Sequence, residues 1–206
     1  MLYYTTIEPI ALELLKQLLA IPYFSNLFLA GGTSLALQIG HRKSIDLDLF
    51  GTVEADDISI VNSLKSFGNI QLIKKTPNIL IYIVNGIKVD IVNYSYPWID
   101  AACKEDQLRL AGKKDIAAMK LAAITGRGSR KDFVDLYFLL QEFSLREMLS
   151  FYNQKYHDGS SFLVLKSLTY FDDAELDPQL IMLKKADWNK VKQSMVNSVD
   201  TFLNNS

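Results

Sequence analysis

A chain of 206 residues, 49% apolar and 22% charged, suits one domain or one domain plus a helical extension, and nothing in that balance suggests global disorder. Its net charge of -1 carries no overall basic signature of nucleic-acid binding, although a local basic surface depends on distribution rather than total. One cysteine, Cys103, excludes an intrachain disulfide and a four-cysteine zinc site, two histidines (His41, His157) argue against a zinc enzyme, and without a leader pattern or an 18-residue apolar run the default is a cytoplasmic protein with no membrane span.

In chain order, residues 6–20 read as an amphipathic helix with Ile7, Ile10, Ala11, Leu14, Leu15 and Leu18 on one face, closed by Pro22. Asn26 to Ala30 is a short apolar run ending in Gly31-Gly32, which predicts a buried strand with a sharp exit. Thr33 to Gln38 reads as a short helix, Ile45 to Phe50 as a second strand and Ile58 to Phe67 as a helix. Three strands follow, Ile70 to Lys74, Ile79 to Val84 and Ile87 to Asn93, the last two joined by the hairpin signal Asn85-Gly86. After Trp98 the character changes. Helical patterns cover 113–126, 131–142, 144–156, 159–167 and 187–203. The expected fold is therefore α+β: a mixed sheet flanked by helices over residues 1–98, then a helical region over 99–206 packing on it.

The stretch Phe28 to Phe50 carries the chemistry. Asp46 and Asp48 are two residues apart in a predicted strand, so their side chains should leave one face, with Ile45, Leu47 and Leu49 in the core behind them. Two adjacent carboxylates repel unless a cation lies between them, and hard oxygen ligands favour Mg²⁺ or Mn²⁺. Gly31-Gly32 opens a helix whose backbone N–H groups can cradle phosphates, with Thr33 and Ser34 adding hydroxyl donors. Strand, glycine turn, helix and D-x-D strand together form a plan for holding a nucleoside triphosphate against metal. The plainer reading of a D-x-D is a pair of surface aspartates. Asp90, flanked by Val89 and Ile91, is the candidate third carboxylate metal ligand, or an ordinary polar-face strand residue. Lys88 shares its face.

These residues resemble a known family. Gly-Gly-Thr-Ser followed eleven residues later by Asp-Leu-Asp is similar to the signature of the DNA-polymerase-beta-type nucleotidyltransferase superfamily. More specifically, Leu29 to Phe50, the later block Asp115 to Leu140 and the segment from Phe171 through Trp188 resemble the AbiEii/AbiGii toxin family over nearly the whole chain. The resemblance implies a nucleotidyltransferase core followed by helices. It implies the toxin component of a toxin–antitoxin or abortive-infection system, moving a nucleotide from an NTP with Mg²⁺ onto an acceptor. For some members that acceptor is the 3′ end of tRNA, and the partner is a cognate antitoxin. It carries roles to Gly32, Thr33 or Ser34, Asp46 and Asp48, and in the second block to Lys120, Asp132 and Asp135.

Read from the residues, Lys120 interrupts the apolar face Ile116, Ala123, Ile124 and needs an anion, which triphosphate oxygens would supply; otherwise it snorkels along the helix edge. Ser129-Arg-Lys-Asp132 has the form of a capping box, which alone would explain Asp132, while Asp135 lies one turn later on the same flank. Either could orient Lys120 or an attacking hydroxyl. Lys113, Lys114, Arg127, Arg130 and Lys131, with His41, Arg42 and Lys43, form either a basic rim for RNA or a solvated face. The acidic stretch Asp172, Asp173, Glu175, Asp177 reads as solvated surface, with antitoxin docking as the alternative, and Tyr82, Tyr94, Tyr96 and Trp98 as core packing, with stacking on a base as the alternative. The rival functions are nucleotidylation of a protein target, or a partner protein that binds nucleotide or antitoxin without catalysis.

Overall fold

A computed structural model describes residues 1–205. The sheet comprises β1 (Leu27–Leu29), β2 (Leu47–Gly51), β3 (Ile70–Thr76), β4 (Ile79–Val84), β5 (Ile87–Asn93), β6 (Cys103–Glu105) and β7 (Leu108–Leu110), in the order β3-β4-β5-β2-β1-β7-β6. It is mixed: β2 runs parallel to β5 and β1 parallel to β7, while the other neighbours are antiparallel. The hairpin expected at Asn85-Gly86 forms with positive φ at both residues (49° and 84°), which the twist of a two-residue turn requires.

Three helices belong with this sheet: α1 (Pro9–Ala20), α2 (Gly31–Ile39) and α3 (Asp57–Ser66). Proline at the first turn starts α1, where a missing N–H costs nothing. Asp56 caps α3 by accepting from the Ser59 backbone N–H at 2.7 Å. Leu15, Leu18, Leu27, Leu29, Leu47, Leu49, Val89 and Leu110 lie in one buried core cluster. Each such leucine contributes at most about 1.5–3 kcal/mol of burial.

The helical part comprises α4 (Lys113–Gly126), α5 (Arg130–Leu139), α6 (Leu145–Lys155), α7 (Ser161–Leu168), the short α8 (Asp172–Glu175) and α9 (Trp188–Asn204). Caps set several starts: a reciprocal Ser144–Glu147 capping box on α6, Ser160 on α7 and Asp187 on α9. Helix α4 lies against α5 and α6. A buried ion pair joins α4 to α6, with Lys155 Nζ 2.7 Å from Asp115 Oδ1 and 2.7 Å from the Pro97 carbonyl. Asp115 also accepts from the Ile99 and Asp100 backbone N–H groups, and Lys155 lies over the Trp98 ring. Residues 97–100 are thus fastened to α4 and α6.

The backbone divides into two units. One is Met1–Ser95 with Ala102–Ala111; the other is Tyr96–Ala101 with the described residues from Gly112 onward. The chain leaves the sheet after β5 and returns for the β6–β7 hairpin before entering α4. Ser206, the last residue of the expected 99–206 region, lies outside the described residues.

Several local expectations change. Ile10 and Ile45, read as core, are 63% and 62% exposed. Position 10 falls in the first turn of α1, outside its buried stripe, and position 45 falls before β2, where alternation has not yet begun. The β6–β7 strands, unread in the sequence, extend the sheet beyond β1. The acidic stretch at 172–177 is not simply solvated. Glu175 accepts from Trp188 Nε1 and Lys192, and Asp177 accepts from the Arg130 backbone N–H.

Candidate active site

The sheet unit builds its acidic site on the parallel pair β2–β5. The register sets Leu47 beside Val89, Asp48 beside Asp90 and Leu49 beside Ile91. Since side chains alternate, the buried leucines, valine and isoleucine take one face, and Asp48 and Asp90 share the other. Helix α2 starts against this face. The Ala30 backbone N–H donates to the Asp48 carbonyl at 2.8 Å, and a Cβ built on Gly31 would lie 2.4 Å from Asp48 Oδ2. Gly31 also has φ +63°, so glycine satisfies both the backbone conformation and the close approach. The glycines are the first residues of α2 rather than a turn before it.

Asp46 lies one residue before β2, not inside the strand as expected. Its position is held from α2, because Thr33 Oγ1 donates to the Asp46 carbonyl at 2.5 Å and lies 2.8 Å from Ser44 Oγ. Thr33 and Ser34, expected to offer hydroxyls to phosphate, are buried, and Ser34 Oγ accepts from Gln38 Nε2 at 3.2 Å. Asp90 is engaged as well: Lys88 Nζ lies 2.6 Å from each of its carboxylate oxygens.

Among the described residues, no cluster of three or more His, Cys, Asp or Glu side chains is arranged to hold a metal ion. The donor chemistry still fits Mg²⁺, which takes one or two protein carboxylates and fills its octahedron with water and phosphate oxygens. The glycine backbone beside Asp48 leaves room that a Cβ would fill.

In the helical unit, Lys120 on α4 is buried and lies 2.8 Å from Asp132 Oδ1 and 2.5 Å from Asp135 Oδ2, both on α5. Arg127 Nε (3.1 Å) and Ser129 Oγ (2.5 Å) donate to Asp132 Oδ2. Burial pushes the Asp132 carboxyl up, but the Lys120 and Arg127 charges and the hydrogen bonds from Lys120 and Ser129 outweigh it and hold it below the usual carboxylate range. The expected capping box is absent: Ser129 is the N-cap residue, but its hydroxyl serves the Asp132 carboxylate rather than a backbone N–H. The 3.6-residue repeat that placed Lys120 on the apolar face also places both aspartates toward α4.

Residues 13–205 match the family described as nucleotidyl transferase AbiEii toxin, type IV TA system. The chain belongs to the AbiEii nucleotidyltransferase toxin family. An uncharacterized protein of Aquifex aeolicus (strain VF5) is 32% identical over 205 residues, covering 94% of this chain and 96% of that protein. Among solved structures, a putative nucleotidyltransferase from H. pylori is similar at TM-score 0.59 and 19% identity, covering 93% of this chain and 91% of that one. MenT4, a nucleotidyltransferase toxin of Mycobacterium tuberculosis H37Rv, is similar at TM-score 0.59 and 13% identity, covering 93% and 82%. At those identities the two structures show the shared fold.

This AbiEii-family chain is accordingly a transferase of nucleotidyl groups with a nucleotidyltransferase-type mixed α/β fold. The toxin family implies an NTP substrate and a cognate antitoxin. No helix of the described residues is long and apolar enough to cross a membrane.

The fold assembles the expected residues in two groups, Gly31, Gly32, Thr33, Asp46, Asp48 and Asp90 in the sheet unit, and Lys120, Asp132 and Asp135 in the helical unit. Sequence reasoning passed over the hold of Lys88 on Asp90, although the shared face was visible. It also missed the Asp115–Lys155 pair. Asp115 has a signal in the sequence, as an acid within the apolar start of α4, but nothing local points to Lys155. The supposed basic rim is partly committed. His41 and Arg42 are buried, Lys113 is ion-paired with Glu142, and Arg130 donates to the Ala174 and Glu175 carbonyls. Tyr82 is buried and Tyr94 packs edge-on against Phe50.

Proposed function

We propose that this AbiEii-family enzyme transfers a nucleoside monophosphate from an NTP to an acceptor hydroxyl, with Asp46 and Asp48 as the carboxylates that hold Mg²⁺. The observation that supports this most is the placement of Asp48, in register with Asp90 and with the Gly31 backbone at its carboxylate. A divalent ion held there would offset charge on the triphosphate and favour the ionised acceptor oxygen. The backbone N–H groups of Gly31 and Gly32 bind phosphate oxygens at the start of α2, where the helix dipole favours anions. Thr33 acts indirectly, by fixing the Asp46 carbonyl. The acceptor oxygen attacks the α-phosphorus, the bond to the bridging oxygen breaks and pyrophosphate leaves. No protein nucleophile is needed.

Lys120 belongs to the proposal as the cation that meets developing phosphate charge, with Asp132 and Asp135 fixing its position. A specific observation favours a second role. Buried Lys120 bridges the buried carboxylates of Asp132 and Asp135, and the exposed Arg127 adds a second cation to Asp132, so the cluster also ties α4 to α5. Lys120→Ala separates the two roles. A phosphate role lowers transfer in the folded fraction beyond any loss of stability, whereas a structural role lowers the melting temperature and spares the activity of what remains folded.

For the acceptor we favour the 3′ end of tRNA, in the cytoplasm where NTP and tRNA meet, with an antitoxin restraining the enzyme. Incubation with each α-labelled NTP and Mg²⁺, with purified tRNA in one arm and cell protein in another, tests this. Label in the tRNA arm supports it. Label confined to protein establishes nucleotidylation of a protein target instead.

A further inference from the structure

We infer that Lys88 is a built-in counter-ion of the carboxylate site, holding Asp90 in the metal-free enzyme and yielding it when a divalent cation binds. This rests on the reading of Asp46, Asp48 and Asp90 as the metal-binding face. Lys88 and Asp90 are two residues apart in β5, so both side chains leave the same face of the sheet. The ammonium straddles the carboxylate, 2.6 Å from both oxygens, and the side chains are only 38% and 17% exposed. Across the parallel pairing Asp48 stands beside Asp90, a like-charge neighbour that costs stability unless a cation intervenes. Lys88 therefore lies on the face of β5 that carries Asp90, next to the Asp48–Asp90 pairing. On the other side, β4 presents Ile81 and Ile83 to Asp90 and Lys88, so that strand supplies neither with an ionic partner.

The Lys88 ammonium covers the Asp90 carboxylate, which stands in register with a second carboxylate, Asp48. To use Asp90, a divalent ion must displace Lys88. The exchange weakens metal binding in the absence of nucleotide and leaves phosphate-bound metal as the better competitor. Lys88 is thus a positioning residue for Asp90, set against premature metal capture.

The test is a Mn²⁺ titration of the whole chain without nucleotide, read by the water-proton relaxation of bound Mn²⁺ into the millimolar range, with Mg²⁺ as competitor. Lys88→Met and Lys88→Gln should each bind Mn²⁺ about fivefold more tightly than wild type, and Lys88→Arg, which keeps the charge, should stay within about twofold. Metal-free melts should place the two neutral variants below wild type, with the gap closing at saturating Mn²⁺. Unchanged or weaker Mn²⁺ binding in both neutral variants overturns the inference. Asp48→Asn separates the levels. If it loses Mn²⁺ binding while the Lys88 variants match wild type, only the role of Lys88 fails. If it binds as wild type does, the carboxylate site fails and the Lys88 inference with it.

Discussion

Gly31 occupies a left-handed backbone position at the first turn of α2, and a side chain there would collide with the Asp48 carboxylate. Gly31→Ala should cost about 1–2 kcal/mol of stability from the backbone term. It should reduce transfer further than that loss explains, since Asp48 must move. Chemical denaturation paired with activity per folded molecule checks both. Asp132 offers a pH test. Its folded pKa is depressed, so the stability it contributes is present above its unfolded pKa of about 3.9 and is lost as pH falls through the lower folded value. The stability gap between wild type and Asp132→Asn should hold from pH 7 to 5 and shrink below about pH 4, as followed by melts across that range. At this scale the shared face of Asp48 and Asp90 was legible, because alternation along a strand is a local property, whereas Asp46, expected inside the same strand, lies one residue before it. The hydroxyls of Thr33 and Ser34 looked exposed beside the glycines. Thr33 instead bonds to residues 44 and 46, and Ser34 to Gln38, contacts that no spacing reveals.

Between elements, α4 and α6 of the helical unit are fastened by the Asp115–Lys155 pair with its bonds to residues 97–100. Both side chains are fully buried, so removing one partner leaves an uncompensated charge. Lys155→Met should therefore destabilise the protein by about 3–5 kcal/mol. Adding Asp115→Leu should recover part of that, because it removes the stranded carboxylate. A melt of the single and double variants decides. Long helices and the Asn85-Gly86 hairpin were legible from periodicity and turn chemistry. The β6–β7 hairpin was not. Its strands are three residues each, and its turn uses Asp106 and Gln107 at positive φ (50° and 67°) without glycine. Gln107 in particular carries no turn signal.

At the scale of the whole molecule, the chain completes its sheet only after a detour. β1, β2 and β5 place the acidic face in the first half, but the sheet gains β7 and β6 after residues 96–101 have joined the helical unit. A composition shift along the sequence shows that helices follow strands. It does not show that the chain returns to the sheet, because pairing of Leu110 with Leu29 is a long-range event. The family match covers residues 13–205 and so spans both units. The central claim is that Asp46 and Asp48 carry nucleotidyl transfer, and it is tested most directly by comparing label transfer from α-labelled NTP, with Mg²⁺ and total RNA, by wild type, Asp46→Asn and Asp48→Asn. All three should melt alike without metal, with the variants equal to wild type or slightly more stable as like-charge repulsion falls, and only wild type should leave label on an acceptor. A variant that stays fully active would contradict the account.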